Sequence, residues 1–192
     1  RWYGNNDYVV NWENDGFSLR NFKDESGRLR SVLRNTQFYF REAISWNDTT
    51  ATGKIAFRYQ PEGYISNASG PCVFADRNLT YLFGLLNSIV SQKLLEILAP
   101  NMKFEVGQMA LVPVIMESTD NIDNLVKDTV SIAKSDWDAF ETSWDFQQHP
   151  LVRLKDNMRF TVTDGDCKSK SYFLQGAYRA WENECENRLD QL

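Results

Sequence analysis

The sequence has few of the residues from which metal and disulfide sites are built. Its 192 residues include one histidine and three cysteines, and Cys72, Cys167 and Cys185 lie far apart without a Cys-x-x-Cys pair. A four-ligand zinc site needs closely spaced Cys and His ligands, so the pattern excludes one and we expect no bound metal. An odd cysteine count also favours a reducing compartment, and we expect a cytoplasmic protein.

Long apolar runs and a charged leader are missing as well. The most apolar stretch, residues 79–99, contains too many polar groups for a bilayer span, among them Asn87, Ser88, Ser91, Gln92, Lys93 and Glu96. We therefore expect no membrane partner. The sequence opens at Arg1 on an aromatic run with neither a start methionine nor a signal core, so we expect it to be a piece of a longer chain.

The common catalytic and nucleotide-binding motifs do not occur in the sequence. It contains no Gly-x-Ser-x-Gly, no Gly-x-Gly-x-x-Gly and no Gly-x-x-x-x-Gly-Lys-Ser/Thr motif. The single histidine, His149, stands beside Pro150, where we expect a structural role. Asp164-Gly165-Asp166 lacks the ligand spacing of a calcium loop. We predict no catalytic residue and no cofactor site in this chain.

The charge that is present is unevenly distributed. The formal net charge is −5, yet residues 1–116 hold 12 basic against 11 acidic residues, whereas residues 117–192 hold 9 against 15. Between Arg20 and Arg58 eight cations face four carboxylates, six aromatic residues are interleaved with them, and Tyr59 follows directly. Arginines and aromatics in this arrangement are typical of a nucleic-acid-binding surface, and a solvated basic face is the alternative.

The pattern of residues 1–116 predicts an α/β (α+β) domain with mixed or antiparallel strands and one long helix. A strand over residues 8–12 and a turn at Asn14-Asp15-Gly16 predict a hairpin with residues 17–22. Residues 54–59 alternate as in a strand, and residues 79–98 show one helical apolar face that Pro100 ends. Residues 104–115 indicate a strand, a bend and an edge strand.

Residues 117–192 are predicted to form an acidic, mainly helical segment. Ser135 is a candidate N-cap for a second helix, and residues 145–153 are interpreted as a connector. We expect the aromatic residues Trp137, Phe140, Trp144 and Phe146 to pack in a small core. Residues 172–192 predict a last helix with an apolar stripe.

Several short motifs occur in one order along the chain. They are Trp2-Tyr3-Gly4-Asn5-Asn6, Val10-Asn11-Trp12-Glu13-Asn14-Asp15-Gly16, Arg41-Glu42 with Ile44 and Trp46, Phe57-Arg58-Tyr59, Leu85-Leu86-Asn87-Ser88, and Phe104-Glu105-Val106-Gly107 before Val112-Pro113. An acidic aromatic block at residues 135–146 and His149-Pro150-Leu151 follow. The series resembles the adenine-specific DNA methyltransferases of BREX phage-defence systems, over the part that carries a TaqI-like target-recognition domain.

The resemblance implies a division of labour within a longer enzyme. Ala43, Gln108 and Ala99-Pro100-Asn101 depart from the expected pattern, which concerns local turns. The Asn-Pro-Pro-Tyr motif that holds a flipped adenine in such enzymes is absent from the sequence, as is a glycine-rich S-adenosylmethionine motif. The resemblance thus implies that the cofactor, S-adenosylmethionine, and the catalytic residues belong to a methyltransferase domain upstream of Arg1.

These observations predict that residues 1–116 recognise double-stranded DNA and position the upstream domain over its adenine. The predicted base-reading residues are Asn5, Asn6, Arg41, Trp46 and Arg58, and the predicted phosphate-contacting residues are Arg28, Arg30 and Arg34. One alternative is a protein-interaction module in which the acidic half docks other subunits of the defence complex. Another is the recognition module of a type II restriction enzyme.

Overall fold

The computed structural model describes residues 2–51, 53–67, 69–116 and 120–157. This part of the chain has an α+β fold, which confirms the predicted class at that level. The chain divides into two compact units at the junction of Val130 and Ser131. The boundary predicted from charge, between residues 116 and 117, stays a prediction.

A small antiparallel sheet organises the first unit. Its strands are β1 (Ala43–Ser45), β2 (Arg58–Gln60) and β3 (Cys72–Val73), in the order β2-β1-β3. Ile44 pairs with Tyr59 and Val73, while Ser45 pairs with Arg58 and Cys72. Because side chains alternate along a strand, the first set lies on one face of the sheet and the second set on the other.

The apolar face of the sheet packs against two helices, α2 (Leu79–Asn87) and α3 (Ile89–Leu98). Fully buried side chains from both layers meet here, namely Ile44, Trp46, Phe57, Phe83, Leu95 and Phe104. Trp2 adds an edge-to-face contact with Phe83, with ring centroids 4.9 Å apart. This core leaves the opposite face of the sheet available for polar side chains.

Residues 79–98 form two helices, so the prediction of one long helix is wrong. The break lies at Ser88, whose backbone is extended (φ −66°, ψ 153°) and whose hydroxyl accepts a hydrogen bond from the Ser91 amide at 3.3 Å. The Ser88 hydroxyl thus replaces the backbone carbonyl to which the Ser91 amide would donate in a continuous helix. Asn87 ends α2 by exchanging two hydrogen bonds of 3.3 Å with the backbone of Phe57.

The hairpin predicted around Asn14-Asp15-Gly16 is not formed. These three residues are left-handed (φ 51°, 56° and 70°) within the short helical segment α1 (Glu13–Arg20), and residues 8–12 form no strand. Asn, Asp and Gly tolerate this backbone, so the turn signal was correct. The strand prediction for residues 8–12 is wrong because strand propensity needs a surface to pack on. Tyr8 and Val9 are instead 93% and 75% exposed.

Residues 104–115 also differ from the predicted strands. Val106–Met109 forms the short helix α4, and the backbone amide of Glu105 donates to the side chain of Gln108 at 2.8 Å. Gln108 therefore closes the first turn of this helix, where the resemblance predicted aspartate. Strand-like pairing occurs just before this segment, as an isolated antiparallel bridge between Lys103 and Thr49.

The described part of the second unit has two helical stretches joined by a loop over residues 138–149, and the predicted mainly helical segment 117–192 stays a prediction. The described part contains the end of α5 (Asp120–Trp137), which crosses from the first unit, and α6 (Pro150–Asn157). Ser135 lies inside α5 and does not cap a new helix, and Pro150 begins α6 because proline fits the first helical turn. His149 holds that start in place, since its Nδ1 accepts from the Leu151 amide at 3.2 Å.

One lysine links the segment between these two helices. Lys134 Nζ lies 2.6 Å from Asp138 Oδ2 and 2.6 Å from Asp145 Oδ2, and the Ser143 hydroxyl donates to Asp138. Trp137 is buried, but Trp144 is 64% exposed, so the predicted aromatic core forms only in part. The predicted helix at residues 172–192, Asp164-Gly165-Asp166, Cys167 and Cys185 lie outside the described residues.

Candidate nucleic-acid interface

A cleft of about 510 Å³ lies over the polar face of the sheet. It is lined by the segment after the N-terminus, by the end of β1, by β2 and by the loop before β3. Its side chains are mainly amides and hydroxyls around one guanidinium, contributed by Asn5, Asn6, Ser45, Asn47, Arg58, Gln60, Ser66 and Asn67. Such groups both donate and accept hydrogen bonds, as the edges of nucleic-acid bases require.

The backbone brings Asn5 and Asn6 to this cleft. The carbonyl of Trp2 accepts a hydrogen bond from the Tyr59 amide at 2.9 Å, which attaches the N-terminal segment to β2. Tyr3 is buried, and Gly4 (φ 100°) and Asn5 (φ 71°) then turn the chain through left-handed backbone. Glycine adopts this conformation without strain and asparagine tolerates it, so the two residues direct the segment across the cleft.

Arg58 and Asn47 meet inside the cleft. Arg58 Nη1 donates to Asn47 Oδ1 at 3.1 Å. The contact follows from strand register, because Ser45 opposes Arg58 and Asn47 lies two residues beyond Ser45 on the same face. The bond fixes two planar polar groups side by side, an arrangement suited to paired hydrogen bonds with a base edge.

A second chain of contacts supports the wall of the cleft. The Ser66 hydroxyl donates to Gln60 Oε1 at 3.1 Å and lies 2.8 Å from the sulfur of Cys72. Burial raises the pKa of the Cys72 thiol, so it stays protonated near neutral pH and contributes packing and a weak hydrogen bond. These contacts fix Gln60, which is only 8% exposed, in the wall of the cleft.

Two carboxylates, those of Asp7 and Asp48, also line the cleft. They would repel phosphate oxygens, whereas a carboxylate accepts a hydrogen bond from the amino group of cytosine. The lining therefore fits base edges better than it fits the sugar-phosphate backbone.

The Trp46 side chain lies in the core, although the residue also borders the cleft. Its side chain is 1% exposed, packs against Phe57 and donates from Nε1 to the carbonyl of Phe104 at 2.9 Å. A ring held in this way cannot stack on a base, so Trp46 supports the strand end that presents Asn47. Its position on the apolar face, in step with Ile44, is the physical reason.

Arg41 lies elsewhere in the first unit. Its guanidinium lies 2.8 Å from Asp76 Oδ1, and its Cζ is 5.6 Å and 5.8 Å from the rings of Phe38 and Phe74. Those two rings stack with centroids 4.9 Å apart. Arg41 is thus held by an ion pair and by cation–π contacts outside the cleft.

Arg28, Arg30 and Arg34 are exposed on the segment between α1 and the sheet. Arg30 Nε lies 3.8 Å from Asp24 Oδ2, and Arg28 follows a tight turn. Their exposure is compatible with the predicted phosphate contacts, which stay a prediction.

Asn47 and Gln60 line the cleft but are not among the site residues predicted from the sequence. Both occupy alternate positions in or next to strands whose other face is apolar. Ile44 and Trp46 from the first strand and Phe57 and Tyr59 from the second lie on that apolar face. A period-two reading that began at Ala43 would have placed Ser45 and Asn47 with Arg58. The short length of β1, three residues, hid that signal.

Two other kinds of feature, a metal-binding cluster and a membrane-spanning helix, are absent from the described residues. There, the side chains of His, Cys, Asp and Glu form no group of three that could hold a metal ion. Among the helices in the described part of the chain, none combines the length and apolarity needed to cross a membrane.

The chain has sequence relatives among known proteins. No family model matches the chain. The chain is 33% identical over 195 aligned positions to the adenine-specific methyltransferase PglX of Lacticaseibacillus casei (strain Zhang). It is 32% identical over 165 positions to the adenine-specific methyltransferase BrxX of Escherichia coli O9:H4 (strain HS).

The two alignments cover most of this chain but only a small share of each relative. They include 100% and 84% of this chain, but 15% of PglX and 13% of BrxX. The chain therefore spans a small part of the length of the relatives it matches. Confirming the resemblance drawn from its motifs, the chain is homologous to a segment of the BREX adenine-specific methyltransferases PglX and BrxX.

Proposed function

We propose that the first unit reads duplex DNA for an adenine-specific methyltransferase and so determines which site is modified. The observation that carries this proposal is the cleft, in which Asn5, Asn6, Asn47, Arg58 and Gln60 gather on one face. Asparagine and glutamine pair with adenine edges, and arginine pairs with guanine edges, through two hydrogen bonds each. The homology to adenine-specific methyltransferases supplies the reaction that such recognition would serve.

Phosphate contacts would come from the basic segment that precedes the sheet. Arg28, Arg30 and Arg34 are exposed there, and the stretch from Arg20 to Arg58 carries an excess of four positive charges. Contacts of this kind orient a protein on the duplex without reading its sequence. Methyl transfer and binding of S-adenosylmethionine are assigned to the rest of the parent enzyme, because their motifs are missing from this sequence.

The test uses the full-length parent enzyme with Arg58→Ala or Asn47→Ala. Each variant is expected to methylate with relaxed sequence preference and to lose roughly 10- to 100-fold affinity for the cognate duplex, while affinity for a scrambled duplex is retained. Lys127→Ala is the matched control, since Lys127 is an exposed cation on α5 outside the cleft. Unchanged sequence preference and affinity in both cleft variants would refute the proposal.

Exposed aromatic residues in the second unit favour a further candidate role, docking of other subunits of a defence complex. Trp144 and Phe140 are 64% and 44% exposed, and large exposed aromatics are common anchors of protein interfaces. Trp144→Ala should then release partner subunits from the purified parent complex without changing the methylated DNA sequence. Retention of every partner would remove this candidate.

A further inference from the structure

A short, solvent-exposed hairpin lies in the basic segment of the first unit. Lys23 and Leu29 form its bridge, the Asp24 amide donates to the Arg28 carbonyl at 2.9 Å, and the Arg30 amide donates to the Phe22 carbonyl at 2.8 Å. We refer to residues 22–30 as the basic hairpin. Its register places Phe22 beside Arg30 on one face and Lys23 beside Leu29 on the other.

The turn of the basic hairpin is held by Asp24. Its Oδ1 accepts from the Ser26 amide at 3.1 Å, the Ser26 hydroxyl at 2.6 Å and the Arg28 amide at 2.9 Å. Gly27 has φ +80°, a conformation that glycine adopts without strain. The hairpin is thus fixed by its own side chains and presents a defined shape to a partner.

Apolar side chains on and next to this hairpin are open to solvent. Phe22 is 58% exposed, Leu29 is 44% exposed and the following Val32 is 66% exposed. The sequence around them is basic, because residues 20–34 contain five basic and two acidic side chains. One of the two carboxylates, that of Asp24, is already engaged in the turn.

Resting on the proposed function, we propose that the basic hairpin enters a groove of duplex DNA and that Phe22 wedges between adjacent base pairs, so that the bound DNA is kinked. The positive charge selects a polyanion, and the apolar side chains would find a matching surface in a base-pair stack. Phenylalanine and leucine wedges that unstack a base step are a known way of bending DNA, and basic side chains beside them contact the flanking phosphates.

The experiment measures DNA shape and affinity together in the full-length parent. A duplex with the motif that the enzyme methylates carries a donor and an acceptor dye at its ends, and a second duplex carries 2-aminopurine at successive positions. The unmodified enzyme is expected to shorten the end-to-end distance and to raise the 2-aminopurine emission at one step. Phe22→Ala should abolish both signals and weaken binding roughly tenfold.

Three further variants separate the wedge from general effects. Phe17→Ala removes an aromatic side chain that is 63% exposed outside the basic hairpin, and it should leave both signals unchanged. Phe22→Leu keeps an apolar wedge and should restore most of the distortion. Gly27→Ala retains Phe22 but strains the turn, so it should reduce the distortion as well.

The outcomes distinguish this inference from the proposed function. Cognate DNA that is bound without bending, or that Phe22→Ala bends as the unmodified enzyme does, overturns the wedge and leaves the recognition role intact. Absence of DNA binding by the unmodified enzyme overturns both. Loss of distortion in Phe22→Ala with rescue by Phe22→Leu supports the wedge.

Discussion

Under the proposed function, the hydrogen bond between Arg58 and Asn47 would prepare the arginine side chain for base recognition. This contact, 3.1 Å long, holds the guanidinium in the cleft before any DNA is bound. Binding then requires less loss of side-chain freedom, which otherwise costs about 0.5–1.5 kcal/mol for each long side chain that is immobilised. The planar shape of the guanidinium is central to this role, because it offers two parallel donors.

Arg58→Lys should therefore be a damaging change although it preserves the charge. Lysine cannot form the paired hydrogen bonds of arginine, so the full-length variant should lose about 1–3 kcal/mol of discrimination at one base position. Competition binding with single-base substitutions of the cognate duplex measures this loss. Arg28→Ala is the contrasting variant, expected to weaken all sequences alike and to reduce the salt dependence by about one charge. If both variants weakened all DNA sequences alike, Arg58 would be a contact to the DNA sugar-phosphate backbone.

Trp46 supports the opposite kind of prediction, one of stability. Its side chain is 1% exposed, and Trp46→Ala should lower the free energy of unfolding by about 3–5 kcal/mol because a large cavity is left. Trp46→Phe should cost less, since it loses mainly the hydrogen bond to Phe104. Urea denaturation measures both changes. A Trp46→Ala variant of normal stability with impaired DNA binding would instead make Trp46 a DNA contact.

At the scale of elements, the sequence predicts composition better than boundaries. The apolar spacing of residues 79–98 correctly predicts helix and a stop before Pro100, but it does not show the break at Ser88. Apolar periodicity persists across the break because both helices bury one side against the same core. The amide of Asn87 pairs with the backbone of Phe57, 30 residues away, and no local pattern encodes such a contact.

The candidate site was predictable to a similar degree. Asn5, Asn6 and Arg58 could be proposed from motif and charge, and the structure brings all three to one cleft. Arg41 and Trp46 belong to the same motif series but lie outside the polar face, because alternation along β1 and the aromatic pair of Phe38 and Phe74 decide where they point. Side-chain direction in a three-residue strand depends on register, which the sequence alone does not define.

Ser88→Ala tests the helix break. Loss of the cap on α3 should lower the free energy of unfolding by about 1 kcal/mol, within a usual range of about 0.5–2 kcal/mol. Ser88→Asp retains an acceptor for the Ser91 amide and should recover most of that stability. Thermal and urea unfolding of the three proteins provide the comparison. Equal stability of Ser88→Ala and the unmodified chain would show that the break is maintained by tertiary packing alone.

The turn of the basic hairpin has a pH dependence of defined sign. Hydrogen bonds from the side chain of Ser26 and the backbone of Arg28 lower the pKa of Asp24 below its ordinary value of 3.8. The contribution of these bonds is therefore complete above about pH 4 and is lost as pH falls through the lowered pKa. The Ser26 and Arg28 amide resonances should titrate together with a midpoint below 3.8 in an NMR experiment. A midpoint above the ordinary value would contradict the hydrogen-bonded turn.

At the scale of the whole molecule, the charge and the homology fit one arrangement. The chain is acidic overall, but its cations concentrate in the stretch that contains the basic hairpin and the strands of the cleft. The relatives are adenine-specific methyltransferases of which this chain matches about one seventh in each case. A recognition unit of this size would select the site, while the remainder of the enzyme would perform the methylation.

Exchange of the first unit between two enzymes tests the central claim most directly. In the full-length parent, the segment that corresponds to residues 1–130 of this sequence is replaced by the aligned segment of a relative that methylates a different sequence. The methylated motif is then read by sequencing the host DNA. The hybrid should methylate the motif of the donor. A control hybrid, in which only residues 131–192 are exchanged, should still methylate the motif of the recipient. An active hybrid that still methylates the motif of the recipient would contradict the assignment of DNA recognition to this unit.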